Sequence, residues 1–483
     1  MHTHAICRTL FAAIVAAVIS IPLAAQQSPG LACHDQSPAF AAHFAGRAIE
    51  LHDMPVASFG IFPMDAPADI EVHANFDIRW AEVKPLSAGI ATTILPSHQD
   101  LRFHLATLVP ITVEFNGDLG HVLHLFPYHS IDPVPDARDP HLHFFGPGVT
   151  RAGTIELHTG DSLYLAPGAW VMGKIRARHA QHIHIYGAGV IDGSENHDAD
   201  GFDEGAGPLY LEDVGDLRLE GITFVNSKSW TVHLREVENA TIDGIRILNP
   251  GDWYGDDGID LVSSNHVVVK NVFIRTNDDC VVVKNLADRE TGNIVVEHSV
   301  LWNMPKGGNG VEIGFETRSH RTHDILFDDL DLIHVERGAA ISIHNADSAV
   351  VENIEYRNIR VEDVRRKLLD FAVLYAAYGP DRPASEEETR ARMDRGGAWD
   401  ADLCYKPEEK AALSRQRGTI RGITVRNLQV VAGALPYSVI TGYDAQHPVE
   451  DVEIVDLSYQ GKMLRDAKAA KLVQEHTRKV SIR

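Results

Sequence analysis

Cysteine is scarce: Cys7, Cys33, Cys280 and Cys404 are the only four among 483 residues. They form no closely spaced pair, so neither a disulfide framework nor a zinc site is indicated, and the spacing selects no bridge. Basic residues are also short. Forty-four Lys and Arg stand against 67 Asp and Glu, a formal net charge of −23. That leaves no basic stripe to neutralise phosphates and speaks against nucleic acid as a partner. Past the N-terminus no segment is long and apolar enough to span a bilayer, so no membrane partner is expected. The 27 histidines show no metal-ligand spacing, so neither a metal nor another cofactor is expected.

What is present fits a folded protein with 44% apolar and 23% charged residues. The length exceeds one average core, so two domains, or one elongated repeat domain with a cap, are expected. Residues 1–25 read as a secretory signal. His2, His4 and Arg8 precede the apolar run Leu10–Ala25, which ends in small residues before polar Gln26. An uncleaved anchor is the alternative. The signal reading implies a secreted or periplasmic protein.

From about Ala180 one phrase recurs, an alternating apolar strand, a small or polar residue, and another strand. Its middle residues are Gly221, Gly244, Asn271, His298, Asp329, Asn358 and Asn427, separated by 23, 27, 27, 31, 29 and 69 positions. A period of two to three dozen residues with about three strands per period predicts a parallel β-helix, each coil stacked about 4.8 Å from the last. Asn and Gly suit the bends because they accept left-handed backbone. The long gap marks an insertion, 365–417, with Leu368–Ala377 and Pro383–Arg392 as possible helices and Gly396-Gly397 as a breaker. Before the repeats, Ile70–Trp80, Leu101–Leu105 and Ile111–Phe115 alternate as half-buried strands do. The expected fold is therefore all-β, a right-handed parallel β-helix over 141–465 preceded by a small β-sandwich over 26–140, with a C-terminal tail at 466–483.

Aligning the second strand of successive coils stacks Trp230–Arg235, Asp257–Val262, Asp279–Lys284, Asn309–Gly314 and Ala339–His344. The third and fifth positions are apolar in every row and point inward. The fourth and sixth then point outward. Asp257, Asp278, Asp279, Asp260, Glu312, Lys284 and His344 should share one outer face. Like charges this close cannot all stay ionised cheaply, so at least one carboxyl should have a raised pKa. An acid beside a base is what glycosidic bond cleavage requires. Asp257, Asp278 and Asp279 are the candidate catalytic residues. Trp230 offers a flat platform for a sugar face, and His233, Asp260, Lys284, Asn309, Glu312 and His344 are candidate substrate contacts. Asp256, Asp328 and Asp329 read as turn residues whose side chains bond to backbone.

At these positions the sequence resembles the glycoside hydrolase clan that joins polygalacturonases (family 28) with dextranases and isopullulanases (family 49). Polygalacturonases carry Asn-Thr-Asp, Asp-Asp, Gly-His-Gly and Arg-Ile-Lys, in that order. Here the corresponding segments are Gly255-Asp-Asp257, Asp278-Asp279, Gly308-Asn-Gly310 and Ser342-Ile-His344. The three Asp survive, the His is Asn309, and the Arg and Lys that grip a uronic carboxylate are absent. The phrases Phe145–Val149 and Leu165–Gly168 and the wording Asn277-Asp-Asp279 look more like the dextranase side, while the spacing and Asp279–Lys284 look more like the polygalacturonase side, so the family within the clan stays open. The resemblance implies an inverting, metal-independent hydrolase of an α-linked polysaccharide or oligosaccharide. Asp278 (or Asp279) would serve as general acid and Asp257 with Asp279 as base. A polysaccharide lyase and a non-catalytic glycan-binding β-helix are the rival readings. Sugar identity and oligomeric state are not legible.

Overall fold

The recurring strand phrases do stack. The computed structural model describes residues 39–130, 133–196, 207–251, 255–287, 289–318, 320–374 and 417–483. Among them, 28 strands from Leu142–Phe145 to Thr477–Ile482 form one continuous sheet. Its coil-to-coil pairings are parallel; a short antiparallel pair, Ser458–Tyr459 with Lys462–Met463, is the exception. This is a parallel β-helix architecture, all-β with no α-helix among the described residues. Inward side chains form a single apolar column-work running from Ile155 to Ala470.

Register follows the alignment made from sequence. Val232 pairs with Ile259, Ile259 with Val281, Val281 with Val311, and Val311 with Ile341. All five are wholly buried. The bends also match. Gly221, Gly244, Asn271, His298, Asp329, Asn358 and Asn427 all have φ between 51° and 72°. The amides reinforce the stack: Asn358 Nδ2 donates to Asp328 Oδ1 at 2.8 Å and Asn427 Nδ2 to Asn358 Oδ1 at 2.9 Å. Asp329 does sit at a bend, but the carboxylates bond to side chains, Asp328 to Asn358 and Arg357 and Asp329 to Arg360, rather than to backbone as expected.

Residues 40–128 form two five-stranded sheets. One runs in the order Arg47–Ile49, Phe40–Phe44, Ala68–Ala74, Asp100–Leu105, Thr92–Ile94. The other runs Leu51–Met54, Ala57–Pro63, Asp118–Tyr128, Ile111–Phe115, Ala81–Lys84. Apolar side chains from both sheets share one buried cluster. A second cluster joins them to the coils: Phe59, Val122 and Phe126 pack with Trp170, Phe273 and Trp302. Polar contacts fix the same junction. Arg275 leaves its coil to donate to Val56 O at 3.0 Å and Leu119 O at 2.9 Å. His334 lies between Glu114, at 2.6 Å, and Asp363, at 3.1 Å. The described residues accordingly form one compact unit.

Two expectations fail. Within Leu368–Ala377, read as a possible helix, residues 368–373 belong to a strand, Lys367–Val373, whose Leu369 and Phe371 continue the inward columns of Ile341 and Ile343. A short segment buried on both faces is apolar at nearly every position, so periodicity does not separate strand from helix. The expected tail, 466–483, holds two further strands, Leu472–Glu475 and Thr477–Ile482, parallel to Tyr437–Thr441 and Val449–Val455. The signal segment, Cys33 and Cys404, and the expected helix at Pro383–Arg392 lie outside the described residues. Cys280 is a buried free thiol.

Candidate active site

The acidic residues lie where two successive coils turn into their second strand. Asp256, wholly buried, builds the turn: its Oδ1 accepts the backbone N–H of Asn277 and of Asp278, each at 3.0 Å. That is the turn role expected of it. Thr276 Oγ1 and Asn303 Nδ2 each donate to Asp278 O at 2.9 Å. Two glycines permit the tight approach. A Cβ on Gly258 would lie 2.3 Å from Cys280 O, and one on Gly308, at φ +61°, would lie 2.1 Å from the Asp278 carbonyl carbon. No side chain fits either place.

On this scaffold the three catalytic candidates come together. Asp257 is buried and accepts from Lys284 Nζ at 3.1 Å. Asp278 is half-buried; its two oxygens accept the N–H of Gly255, at 3.0 Å, and of Asp279, at 3.1 Å. Burial first, then the charge of Asp257, push the Asp278 carboxyl up to about 7. Asp279 is 6% exposed and accepts from Asn309 N at 2.7 Å and Asn309 Nδ2 at 2.9 Å. Burial, then Asp278, Glu312 and Asp257, hold it well above the ordinary carboxylate range. Asp279 therefore keeps its proton at neutral pH, where Asp278 is close to its midpoint.

The outward rows carry the remaining candidates. Asp260 pairs across the coils with His233 and Val282, Val282 with Glu312, Glu312 with Ser342, and Ser342 with Asp370. The next row carries Val262, Lys284 and, beyond a bulge, Gly314 and His344. Lys284 Nζ lies 2.9 Å from Asp260 Oδ1, 4.0 Å from Glu316 Oε2 and 3.4 Å from the centroid of the Trp230 ring. Burial opposes its charge, yet Asp257 and Asp260 hold the ammonium well above its usual pKa. Its approach to Asp260 lacks hydrogen-bond direction, and both Asp260 oxygens are without a directed partner. Burial and Asp257 raise Asp260 well above its ordinary value. His233 sits edge-on to Tyr210 and Trp230, with ring centroids 4.7 and 4.8 Å away. Burial and then Lys284 push it down to about 3, so it is neutral.

Asn309, Glu312 and His344 form a chain. Asn309 Nδ2 donates to Glu312 Oε2 at 3.0 Å as well as to Asp279. His344 Nδ1 lies 2.9 Å from Glu312 Oε1 and its Nε2 3.0 Å from Asp370 Oδ2. Ser342 Oγ also donates to Glu312, and Lys367 to Asp370. Burial opposes a charge on His344, but Glu312 and Asp370 outweigh it and lift the imidazole to about 9.

All ten expected residues thus share one face. The face is not the open surface patch expected: Asp260 and Glu312 are wholly buried, and only Asp278 and Trp230 are partly open. Mutual pairing and the Trp230 ring over Lys284 cover the rest. Sequence reasoning missed Asp370 and Glu316. Asp370 extends the row of Glu312 and Ser342 by one coil and was hidden by the helical reading of Leu368–Ala377. Glu316 follows a bulge in the coil register between Val283 and Asn285, and no pattern announces it.

Residues 146–383, just under half of the chain, match the family model of glycosyl hydrolases family 28. A probable polygalacturonase of Arabidopsis thaliana is 26% identical over 157 residues, 32% of this chain and 33% of that protein. Probable endopolygalacturonase D of Neosartorya fischeri is 29% identical over 173 residues, 32% and 35% of the two chains. An endo-polygalacturonase of Pectobacterium carotovorum subsp. carotovorum is 28% identical over 166 residues, 34% and 40%. The chain thus spans between a third and two-fifths of the length of these relatives. In fold, Dex49A from Penicillium minioluteum superposes with a TM-score of 0.63 at 14% identity, covering 92% of this chain and 93% of that one. The likeness to the polygalacturonase and dextranase clan holds over the segment that contains Asp257, Asp278 and Asp279.

Proposed function

We propose that this chain, whose central coils match the polygalacturonase and dextranase clan, is an exported O-glycosyl hydrolase. It cleaves α-linked polysaccharide or oligosaccharide with inversion and acts in a secreted or periplasmic setting. One observation supports this most: Asp278, half-buried and with its carboxyl pushed up to about 7, lies beside Asp257, which faces the Lys284 ammonium at 3.1 Å. A proton-holding carboxyl beside a second carboxyl that can take a proton from water is the pair that glycoside hydrolysis needs. Asp278 gives its proton to the glycosidic oxygen as that bond breaks. A water attacks the anomeric carbon from the other face and passes its proton to Asp257. Asp279, protonated and fixed by Asn309, orients that water. The Trp230 ring flanks the sugar.

In the same reading, the two five-stranded sheets form a small β-sandwich seated on the coil. The coil is right-handed, as parallel crossovers are.

The test is reducing-end release from α-linked polymers, with the product anomer followed by NMR during the first turnovers. Inversion gives the β-anomer first. Initial α-anomer would show retention, and no release from any α-linked polymer would refute the reading.

A further inference from the structure

The charge arrangement on this face says what kind of sugar it accepts. Carboxyl groups come from Asp257, Asp260, Asp278, Asp279, Glu312 and Asp370; the buried cations interleaved with them are Lys284 and His344, and a half-exposed Lys367 is bonded to Asp370. Both buried cations are enclosed. Lys284 faces Asp257 at 3.1 Å and Asp260 at 2.9 Å, and its remaining approach is closed by the Trp230 ring at 3.4 Å. His344 has two ring nitrogens and spends one on Glu312 at 2.9 Å and the other on Asp370 at 3.0 Å. Phe315 stacks on the imidazole at 4.5 Å. With side chains only 6% and 9% exposed, Lys284 and His344 offer no open N–H to an anion, and an incoming carboxylate meets carboxyl groups that repel it wherever they are ionised, in a buried, poorly screened setting. The hydroxyls of an uncharged sugar have the opposite match, because a hydroxyl donates to carboxylates without adding charge.

We propose that the cleft selects an uncharged α-linked glycan and that the Glu312–His344–Asp370 triplet is its specificity determinant against uronides. The proposal rests on the hydrolase reading above and sharpens it. Glu312 is wholly buried, so it acts by fixing His344. It is a positioning residue.

The experiment compares the full chain on polygalacturonate and on carboxyl-reduced polygalacturonate. The two share a backbone and a linkage and differ in carboxylate against hydroxymethyl. Dextran and pullulan complete the panel. At least one uncharged polymer should be cleaved with kcat/KM on the order of 10²-fold or more above polygalacturonate, since like-charge contacts cost several kcal/mol. Cleavage of polygalacturonate as fast as or faster than every uncharged polymer overturns the inference and leaves the hydrolase reading standing. No release from any polymer overturns both. The determinant is tested by Asp370→Asn, which frees one nitrogen of His344. The ratio of polygalacturonate to neutral-polymer turnover should rise about tenfold. An equal loss on both polymers, leaving the ratio unchanged, marks a merely structural role and removes the triplet from the proposal.

Discussion

Asp278→Asn separates catalysis from stability, because the same raised pKa acts on both in opposite directions. Holding this carboxyl at about 7 against an ordinary 3.8 corresponds to about 4 kcal/mol, at about 1.4 kcal/mol per pKa unit. The native state binds the proton more tightly than the unfolded chain, so stability falls as pH rises from about 4 to about 7 and stays reduced above. Asparagine removes that dependence. At pH 8 the variant should gain up to about 4 kcal/mol, less about 1–2 kcal/mol for weakened bonds from the Gly255 and Asp279 N–H groups. At pH 4, where native Asp278 is protonated, the gain should vanish. Turnover should meanwhile fall on the order of 10²–10⁴-fold, the usual worth of a general acid. In the unsubstituted protein turnover should decline above pH 7 as Asp278 ionises. Urea unfolding at the two pH values, beside reducing-end kinetics, reads both effects. A stability change that is equal at pH 4 and pH 8, or turnover within tenfold of the parent, would refute the assignment.

Lys284→Met should cost about 3–5 kcal/mol at neutral pH, the usual penalty for removing one partner of a buried ion pair, because Asp257 and Asp260 lose their cation; urea unfolding measures it. His334, buried between Glu114 and Asp363, has its pKa raised by those bonds against the opposing effect of burial. Its contribution is complete below the ordinary 6.5 and is lost as pH rises through the higher folded value, so His334→Gln should destabilise more at pH 6 than at pH 9 in the same assay. Asn358, at φ 54°, should tolerate Gly better than Ala: left-handed backbone costs alanine about 1–2 kcal/mol, and both variants lose the bond to Asp328. Equal losses for Gly and Ala would show that the bend exerts no backbone demand.

The fold was legible because a coil repeats two simple constraints many times. Period-two alternation fixes which side chains go inward, and the bend residue must accept positive φ. One sequence therefore carried both register and turn, and the aligned rows Val232, Ile259, Val281, Val311 and Ile341 needed no further information. Where one constraint lapses the reading fails. Leu368–Val373 is apolar on both faces and lost its period, which hid Asp370. Leu472–Glu475 lies at the end of the stack with little cover, so its polar residues masked a strand. The degree of burial at the acidic face was equally invisible, since it depends on which side chains close over one another, and alternation says only which direction they leave the backbone.

That burial is what turns a row of acids into a site with graded proton affinities. On an open strand face, Asp257, Asp278 and Asp279 would be screened by water and would titrate together near the ordinary value. Here coils on either side exclude solvent, and each acid receives a different compensation. Asp257 has an ammonium, Asp279 two N–H donors from Asn309, and Asp278 two backbone N–H groups at a partly open position. Stacking makes the arrangement possible, because each coil supplies partners to the acids of its neighbour while its own core lies inward. The cluster weakens the folded state locally, and the long apolar columns beneath it offset that cost. The same geometry occupies Lys284 with Asp257 and Asp260, and His344 with Glu312 and Asp370, so under the proposal above recognition of the substrate rests on its hydroxyl groups and the Trp230 ring.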